Sequence, residues 1–437
     1  MMYPINPQAE ALNTLIREAA PAVHDLLSER GKGFFFPKLG IVSQSADAKG
    51  ARINATIGIA LEEDGSPVRL AAIADNIRLD PAEVFPYAPS YGRAELRKAW
   101  RELIYSKNPS LEGTISLPVV TNALTHGLSV AAMLFVDPGD PIRVADKFWG
   151  NYRLIFEQAF GAKLVTFNTF AGNGFDVGSL DRALSERSGK QILLLNFPNN
   201  PAGYTPTLAE AEAIMQAIGD SAGRGNRIAV LLDDAYFGLV YEDGIETESL
   251  FSRLAGLHEN VLAVKLDGAT KEDYVWGLRV GFITFASKGI TPEVCAALEE
   301  KAGGIVRGTI SNDSLLSQSL ILHAIGSPIY DREKREKYEL LKSRYDKVRE
   351  VLTENGGRYA EYFEPLPFNS GYFMCLALKK GLQGEPVRQI LLKEYSTGVI
   401  SIGSLIRLAF SSVPTRTIPE LFENVYNACR KAASGER

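Results

Sequence analysis

Lys271 and Arg279 lie on either side of one loop between two apolar segments of the chain. Lys271 follows the segment 261–266, and Arg279 comes directly before the segment 280–285. A lysine amine can form a Schiff base with an aldehyde, and a guanidinium can bind a phosphate through two parallel hydrogen bonds. Pyridoxal phosphate carries both groups. The pair alone is weak evidence, because charged residues beside a strand are usually solvated, so other segments must supply further contacts.

Two other apolar segments end in polar residues of the type that this cofactor needs. Residues 192–196 lead into a turn rich in proline and asparagine, which holds Asn200 beyond the end of a strand. Residues 228–233 end in Asp233, three residues before Tyr236. A carboxylate there can pair with a protonated pyridine nitrogen and keep the ring an electron sink. Ligands bind beyond the carboxyl ends of strands in open α/β sheets, so we expect these residues to meet there.

A series of apolar runs alternates with helical stretches and must position these residues. The runs are 118–121, 142–145, 163–167, 192–196, 228–233, 261–266 and 280–285. This alternation predicts a mostly parallel sheet covered by helices. A charged stretch with helical apolar spacing, 331–354, predicts a long connecting helix that stops at the following Asn-Gly-Gly, and 371–378 predicts a further strand. We therefore predict an α/β fold whose large domain spans residues 76–330. Residues 1–75 and 331–437 would form a smaller α+β domain.

The composition indicates a large enzyme without a nucleic-acid or membrane surface. The chain has 437 residues, 46% of them hydrophobic, and a formal net charge of −5, which provides no basic patch for nucleic acid. No apolar run reaches the ~20 residues of a membrane span, and the amino terminus lacks a secretion signal. The 4 histidines include no close pair, so we expect no metal site. We expect the three cysteines, Cys295, Cys375 and Cys429, to be buried thiols of a cytoplasmic protein.

These segments resemble those of the class I aminotransferases, which are fold-type-I pyridoxal phosphate enzymes, and most closely their aspartate and aromatic amino acid branch. The matches follow the family's order along nearly the whole chain. In the amino-terminal half they are Gly58 in a glycine segment, Tyr87 in a tyrosine loop, Ala123, Leu124 and Thr125 in the phosphate loop, and Trp149 in the segment that stacks on the cofactor. Further along they are Asn196, Pro198, Asn200, Pro201, Gly203, Asp233, Ala235, Tyr236, Lys271, Arg279 and Arg407.

The resemblance implies transamination between an L-amino acid, acidic or aromatic, and a 2-oxo acid. Lys271 would carry the cofactor as a Schiff base and perform the 1,3-proton shift, with Asp233 and Tyr236 as further catalytic residues. A helix predicted over 127–136 would leave the phosphate-loop amides free to bind the phosphate. The resemblance also implies a homodimer with shared active sites, in which Tyr87 reaches the neighbouring subunit's phosphate.

The resemblance places the substrate on Arg407, which would bind the α-carboxylate, together with Asn200 and Gly58. It also places Arg307 across the dimer interface, where it would bind a side-chain carboxylate. The chain departs from the family near Arg307, because Asp313 stands where a proline is usual. We expect that carboxylate to neutralise or re-aim Arg307.

Two departures concern the phosphate. Gly268 replaces a common serine donor, and Leu124 is bulkier than the usual small residue. The loss of the serine removes one donor to the phosphate and predicts a lower affinity for the cofactor, whereas the backbone amide of Leu124 remains available.

Several of these residues also have ordinary structural interpretations. Trp149 and Tyr236 could be packed core aromatics, and Asp233 with Asp234 could be a solvated pair. Arg407 lies in an apolar run, where an arginine is more often paired or ligand-binding than idle. Two functional alternatives stay open: another pyridoxal phosphate reaction, such as that of a lyase or decarboxylase, or a binding protein that keeps the fold without turnover.

Overall fold

A computed structural model describes residues 5–19, 21–35, 40–186 and 188–434. Its α-helices are α1 (Pro7–Ala19), α2 (Pro21–Leu26), α3 (Glu29–Gly33), α4 (Ile41–Asp47), α5 (Ala71–Ala74), α6 (Ala94–Lys107), α7 (Ala123–Phe135), α8 (Val177–Ser185), α9 (Leu208–Gly223), α10 (Leu250–Ala255), α11 (Ala269–Glu272), α12 (Pro292–Thr309), α13 (Leu315–Ile325), α14 (Tyr330–Tyr359), α15 (Gly384–Tyr395) and α16 (Ile418–Ser434).

The strands belong to a larger sheet, a smaller sheet and two short pairs. They are β1 (Ile53–Asn54), β2 (Val119–Asn122), β3 (Pro141–Ala145), β4 (Lys163–Phe167), β5 (Phe170–Ala171), β6 (Gly174–Phe175), β7 (Lys190–Asn196), β8 (Arg227–Asp233), β9 (Val261–Asp267), β10 (Val280–Ala286), β11 (Phe363–Pro365), β12 (Phe373–Leu378), β13 (Thr397–Gly398), β14 (Ile400–Ile402) and β15 (Leu405–Ala409). Every strand predicted from the sequence is present, with ends shifted by at most two residues.

The larger sheet has the strand order β2-β10-β9-β8-β7-β3-β4, in which β10 runs antiparallel to both of its neighbours and the other pairs are parallel. Its central strands are apolar and buried because helices cover both faces. The parallel register aligns Asn196 with Asp233 and Asp233 with Leu266. The polar residues that end β7 and β8 therefore lie at the same sheet edge as the loop after β9, which carries Lys271.

The smaller sheet has the order β11-β12-β15-β14, and its antiparallel strand β15 carries Arg407. The amino-terminal part of the chain joins this region, since β1 pairs with β13. Helix α4 is fastened there as well, because the side-chain amide of Gln44 donates to the Ser401 carbonyl at 3.1 Å and accepts from its amide at 2.7 Å. The two ends of the chain thus meet beside β14 and β15.

Two predicted helix boundaries are wrong. Helix α14 does not stop at Asn355-Gly-Gly but continues to Tyr359, which is buried against Phe363 and Phe422. That packing outweighs the cost of about 1 kcal/mol for each helical glycine. Helix α7 begins at Ala123 rather than at residue 127, so the phosphate-loop residues form its first turn.

Candidate active site

Lys271 lies on the short helix α11 that follows β9, partly buried, with its Nζ 4.7 Å from the ring centroid of Tyr236. Burial lowers the pKa of the Lys271 amine to about 8, and the charge of Arg279 adds to this, whereas Asp233 opposes it. A substantial fraction of the amine is therefore neutral near pH 8, and the neutral form is the nucleophile that attacks an aldehyde.

The segment that carries Lys271 is held in place by ion pairs of the two buried carboxylates that follow it. Glu272 pairs with Lys107 and with Lys334, and Asp273 pairs with Lys334 at 3.0 Å. Burial alone would raise the pKa of Glu272, but the two lysines outweigh it and hold that pKa at about 2. Because Lys334 belongs to α14, the connecting helix is fixed directly to the residues that follow Lys271.

Asp233 is 4% exposed, so the solvated-pair interpretation is wrong. Its Oδ2 accepts a hydrogen bond from the Tyr152 phenol at 2.5 Å, and its Oδ1 accepts from the Ala235 amide at 3.2 Å. Burial raises the pKa of Asp233, while the bond from Tyr152 and the charge of Lys271 act against that shift. A buried carboxylate with two donors is prepared to pair with a cation placed beside it.

Tyr152 is a functional residue that the sequence analysis did not single out. It is fully buried, and its ring packs edge-on against Trp149 at 5.6 Å. The signal was its position three residues after Trp149, which places both side chains on one side of a helical turn. Burial raises the pKa of Tyr152 well above its usual value, so the phenol keeps its proton and acts as a donor to Asp233.

The phosphate end of the site combines the first turn of α7 with Arg279. The Ala123 amide donates to the Arg279 carbonyl at 3.0 Å, so the prediction that this amide is free to bind phosphate is wrong. Both residues adopt left-handed backbone conformations, with φ of 56° and 57°. Asn122 does not cap the helix with its side chain, which leaves the first-turn amides of Leu124 and Thr125 without a capping group.

A donor that the sequence analysis missed lies beside this turn. The Thr270 hydroxyl is buried and has no hydrogen-bond partner in the described part of the protein. Gly268, by contrast, has no room for a serine: a Cβ there would lie 2.6 Å from the Val280 carbonyl oxygen and 3.3 Å from the Leu124 side chain. The bulky Leu124 and the glycine therefore fit together, and Thr270 is the hydroxyl available to an anion.

Arg407 forms the opposite end of the site. It is 3% exposed, its guanidinium lies 4.3 Å from the Phe373 ring centroid, and it donates to the Thr56 carbonyl at 3.1 Å and to Asn200 Oδ1 at 3.5 Å. Burial lowers the pKa of Arg407. Its Nε has no partner among the described residues. A buried guanidinium with a spare donor is suited to bind a carboxylate.

One cavity of about 340 Å³, here called the cofactor cavity, joins these groups. Its walls include the predicted residues Gly58, Ala123, Leu124, Thr125, Trp149, Asn200, Asp233, Tyr236, Lys271, Arg279 and Arg407, and also Thr270. Trp149 and Tyr236 both line this space, and Tyr236 is at the same time a packed core aromatic, 4% exposed and in contact with Tyr372 and Phe373. An aldehyde-binding amine, a carboxylate for a ring nitrogen, and a helix amino terminus with an arginine and a hydroxyl for a phosphate fit pyridoxal phosphate.

Tyr87 and Arg307 do not join the other predicted residues within this subunit. Tyr87 is 91% exposed, and Arg307 is exposed and donates to the Ser311 hydroxyl at 3.1 Å. The interpretation that Asp313 neutralises Arg307 is wrong in this chain. Asp313 is buried and accepts a hydrogen bond from the Asn122 side chain at 2.9 Å. Burial raises the pKa of Asp313 to about 6, with the Asn122 bond and Arg279 opposing the shift.

Three further features concern metal sites, membrane-spanning helices and the cysteines. Among the described residues, no group of three or more His, Cys, Asp or Glu side chains is placed to hold a metal ion. Within the same ranges, none of the helices has the length and apolar character needed to cross a membrane. The three cysteines are buried and free, as predicted.

The chain is similar to known proteins in both sequence and fold. A family model described as aminotransferase class I and II matches residues 53–425. Aspartate aminotransferase 1 of Medicago sativa is 24% identical over 417 residues, which cover 91% of this chain and 94% of the relative. A solved aminotransferase structure from Anaerococcus prevotii gives a TM-score of 0.82 at 25% identity and covers 93% of this chain and 100% of that one. Aspartate aminotransferase from Thermus thermophilus with maleate, at 20% identity, gives a TM-score of 0.70 over 93% of this chain and 99% of that one, which supports the fold. The protein therefore belongs to the class I and II aminotransferase family, whose members are pyridoxal phosphate-dependent enzymes that transfer amino groups.

Proposed function

We propose that this aminotransferase holds pyridoxal 5'-phosphate in the cofactor cavity, with Lys271 as its Schiff-base residue. The observation that carries the proposal is that Lys271, Asp233, Arg279 and Arg407 come from separate segments of the chain and line one cavity. The family match favours transamination over lyase or decarboxylase chemistry and over a binding protein without turnover. The reaction proposed moves an amino group from an L-amino acid to a 2-oxo acid.

Each residue has a role that follows from its surroundings. When bound, the cofactor would supply an electron sink for the substrate's α-carbon. Asp233, held by Tyr152, would keep the ring nitrogen protonated, and Trp149 would stack on the ring. The Lys271 amine, with its lowered pKa, would take the α-proton from the substrate and return it one carbon away.

The remaining residues would bind and orient the cofactor and the substrate. Asn200 and the Tyr236 hydroxyl would hydrogen-bond the phenolic oxygen of the cofactor. Arg279 and the amides of Leu124 and Thr125 would bind its phosphate, with Thr270 as an added donor. Arg407 would hold the substrate α-carboxylate through its guanidinium, and Gly58 would leave room beside it. The backbone of Ala123 would act indirectly, by fixing the Arg279 carbonyl.

The proposal includes a homodimer with shared active sites. Phe85 and Tyr87 are 82% and 91% exposed within the subunit, which is an unfavourable state for two neighbouring large side chains unless another surface covers them. We propose that this loop carries Tyr87 to the phosphate of the other subunit. Arg307, exposed on α12, would approach the other subunit's substrate in the same way.

Domain division and location complete the proposal. Residues 76–330 would form the large domain around the larger sheet, and residues 1–75 with 331–437 would form the small domain around β11, β12, β14 and β15. The separation of the two sheets and the pairing of β1 with β13 support that division. A cytoplasmic location is proposed from the composition, including the net charge of −5.

The test is a half-reaction with the purified holoenzyme. The protein should show a cofactor absorbance band that changes when an amino acid is added, with stoichiometric release of the 2-oxo acid. Lys271→Ala should remove the change, whereas Lys288→Ala, at an exposed lysine outside the cavity, should keep it. Release of ammonia or carbon dioxide in place of the 2-oxo acid would contradict transamination.

A further inference from the structure

A second and larger cavity lies beside the cofactor cavity and has no role in the chemistry described so far. It has a volume of about 760 Å³. Apolar side chains dominate its described walls, chiefly Ile41, Phe148, Trp149, Leu154, Pro201 and Ile402. A concave space of this size with apolar walls is typical of a site for a small organic ligand. We call it the side-chain chamber.

The side-chain chamber adjoins the cofactor cavity. Ile41, Trp149 and Asn200 belong to the walls of both spaces. Asn200 also accepts a hydrogen bond from Arg407, the proposed α-carboxylate ligand, at 3.5 Å. A substrate held by Arg407 would therefore have its reacting carbon in the cofactor cavity and its side chain directed towards the side-chain chamber, beside Asn200 and Trp149.

The charges in the chamber argue against an acidic side chain there. Arg153 is the cation among the described lining residues, and it already donates to both carboxylate oxygens of Glu157 at 3.1 Å and lies 5.1 Å from the Phe148 ring centroid. A second carboxylate would compete with Glu157 for that guanidinium. Arg307, whose proposed route to a substrate crosses the subunit interface, does not line this chamber, so the described walls contributed by the subunit itself hold no cation other than the paired Arg153.

We propose that the side-chain chamber receives a long apolar side chain, so that the preferred substrates are α-amino acids with extended aliphatic or arylalkyl side chains and not dicarboxylic amino acids. This inference rests on the proposed function, since it takes the cofactor cavity as the reacting centre. Burial of each added methylene should strengthen binding about fourfold until the chamber is filled. A short acidic side chain would leave most of the space unfilled.

Calorimetric binding to the holoenzyme tests the chamber without requiring turnover. The ligands are straight-chain monocarboxylates from butanoate to decanoate, compared with succinate and glutarate. The affinity should rise by about fourfold per methylene over several steps, and hexanoate should bind more tightly than glutarate. Affinity that does not change with chain length, or tighter binding of the dicarboxylates, would overturn the proposal.

A filling variant links the effect to the chamber. Ile402 lines the chamber and is 37% exposed, so a larger ring has room there and Ile402→Trp should fill part of the chamber. The Ile402→Trp variant should bind octanoate at least tenfold more weakly than the parent and should bind butanoate with the parent's affinity. Leu208→Trp, at a 49% exposed position of α9 outside the described chamber walls, is the matched control and should bind both like the parent. Equal octanoate affinity in the two variants would also overturn the proposal.

Half-reactions with the same holoenzyme distinguish a failure of this inference from a failure of the proposed function. A half-reaction series from 2-aminobutanoate to 2-aminodecanoate should follow the calorimetric order. If no amino acid reacts, transamination fails, while the calorimetry still decides what the chamber binds. If aspartate and glutamate react fastest and carboxylate affinity is independent of chain length, transamination stands and the chamber proposal fails.

Discussion

The Tyr152 phenol donates a 2.5 Å hydrogen bond to Asp233, a buried carboxylate in the wall of the cofactor cavity. A tyrosine with a raised pKa can only donate here, so its hydrogen bond opposes the rise in pKa that burial gives Asp233 and helps to keep that carboxylate ionised. The strength with which Asp233 holds the proton of a ring nitrogen therefore depends on Tyr152.

Tyr152→Phe should lower kcat about tenfold and change KM much less. The variant leaves the buried Asp233 carboxylate with one donor fewer, and a hydrogen bond to a charged group contributes roughly 1.5–3 kcal/mol. Steady-state kinetics measures the effect. Tyr204→Phe is the control, because Tyr204 is also buried and donates to Glu210 at 2.7 Å outside the site. Equal kcat in the two variants would show that Tyr152 has only a structural role.

The lowered pKa of Lys271 predicts how the apoenzyme takes up its cofactor. Because burial holds that pKa at about 8, the reactive neutral amine should increase as the pH rises and reach its plateau above pH 9. Stopped-flow absorbance after mixing apoenzyme with pyridoxal phosphate should give a rate with a midpoint near pH 8. A midpoint near 10.5, the value of an ordinary lysine, would contradict the described burial of this amine.

Asp313 should weaken phosphate binding in a pH-dependent way. Its pKa of about 6 makes it anionic at pH 8 and neutral at pH 5, and its charge acts on Arg279. Asp313→Asn should tighten cofactor binding about fivefold at pH 8, which corresponds to about 1 kcal/mol of charge interaction, and should have no effect at pH 5. Fluorescence titration of the apoenzyme gives both affinities, with the exposed Asp346→Asn as control. The same ratio of variant affinity to parent affinity at both pH values would exclude this charge effect.

Gly268→Ser should destabilise the protein and should not improve phosphate binding. The new Cβ would meet the Val280 carbonyl oxygen at 2.6 Å, so the backbone must shift, at a cost of about 1–3 kcal/mol. Thermal unfolding of the apoenzyme should show a lower Tm. Gly256→Ser, where a Cβ meets nothing within 4 Å, is the matched control. A stable serine variant with tighter cofactor binding would contradict this expectation. It would show that Gly268 only removes a hydrogen-bond donor to the phosphate.

Much of the fold and site was predictable because each informative signal was local. The apolar runs that end in Asp233 and in Asn196 are strands whose parallel register brings both residues to one edge. The predicted fold class is confirmed by the larger sheet and by the solved aminotransferase structures. The family and cofactor predictions are confirmed by the family match over residues 53–425.

What the sequence could not predict depends on packing between distant segments. Nothing in the run around Ala123 indicates that its amide is used by the Arg279 carbonyl, because that contact requires β2 and β10 to pair. The hydrogen bond between Tyr152 and Asp233 likewise joins two segments far apart in the chain. Helix α14 continues through its two glycines because Tyr359 packs against the buried Phe363 ring. Helix propensity alone does not predict that contact.

The direct measurement of the central claim is the site of covalent attachment. Borohydride reduction of the holoenzyme, followed by proteolysis and mass spectrometry, identifies the lysine that carries the phosphopyridoxyl group. The structure predicts a single modified residue, Lys271, and loss of the modification in Lys271→Ala. Attachment at another lysine, or an unmodified Lys271 in protein with bound cofactor, would contradict the account.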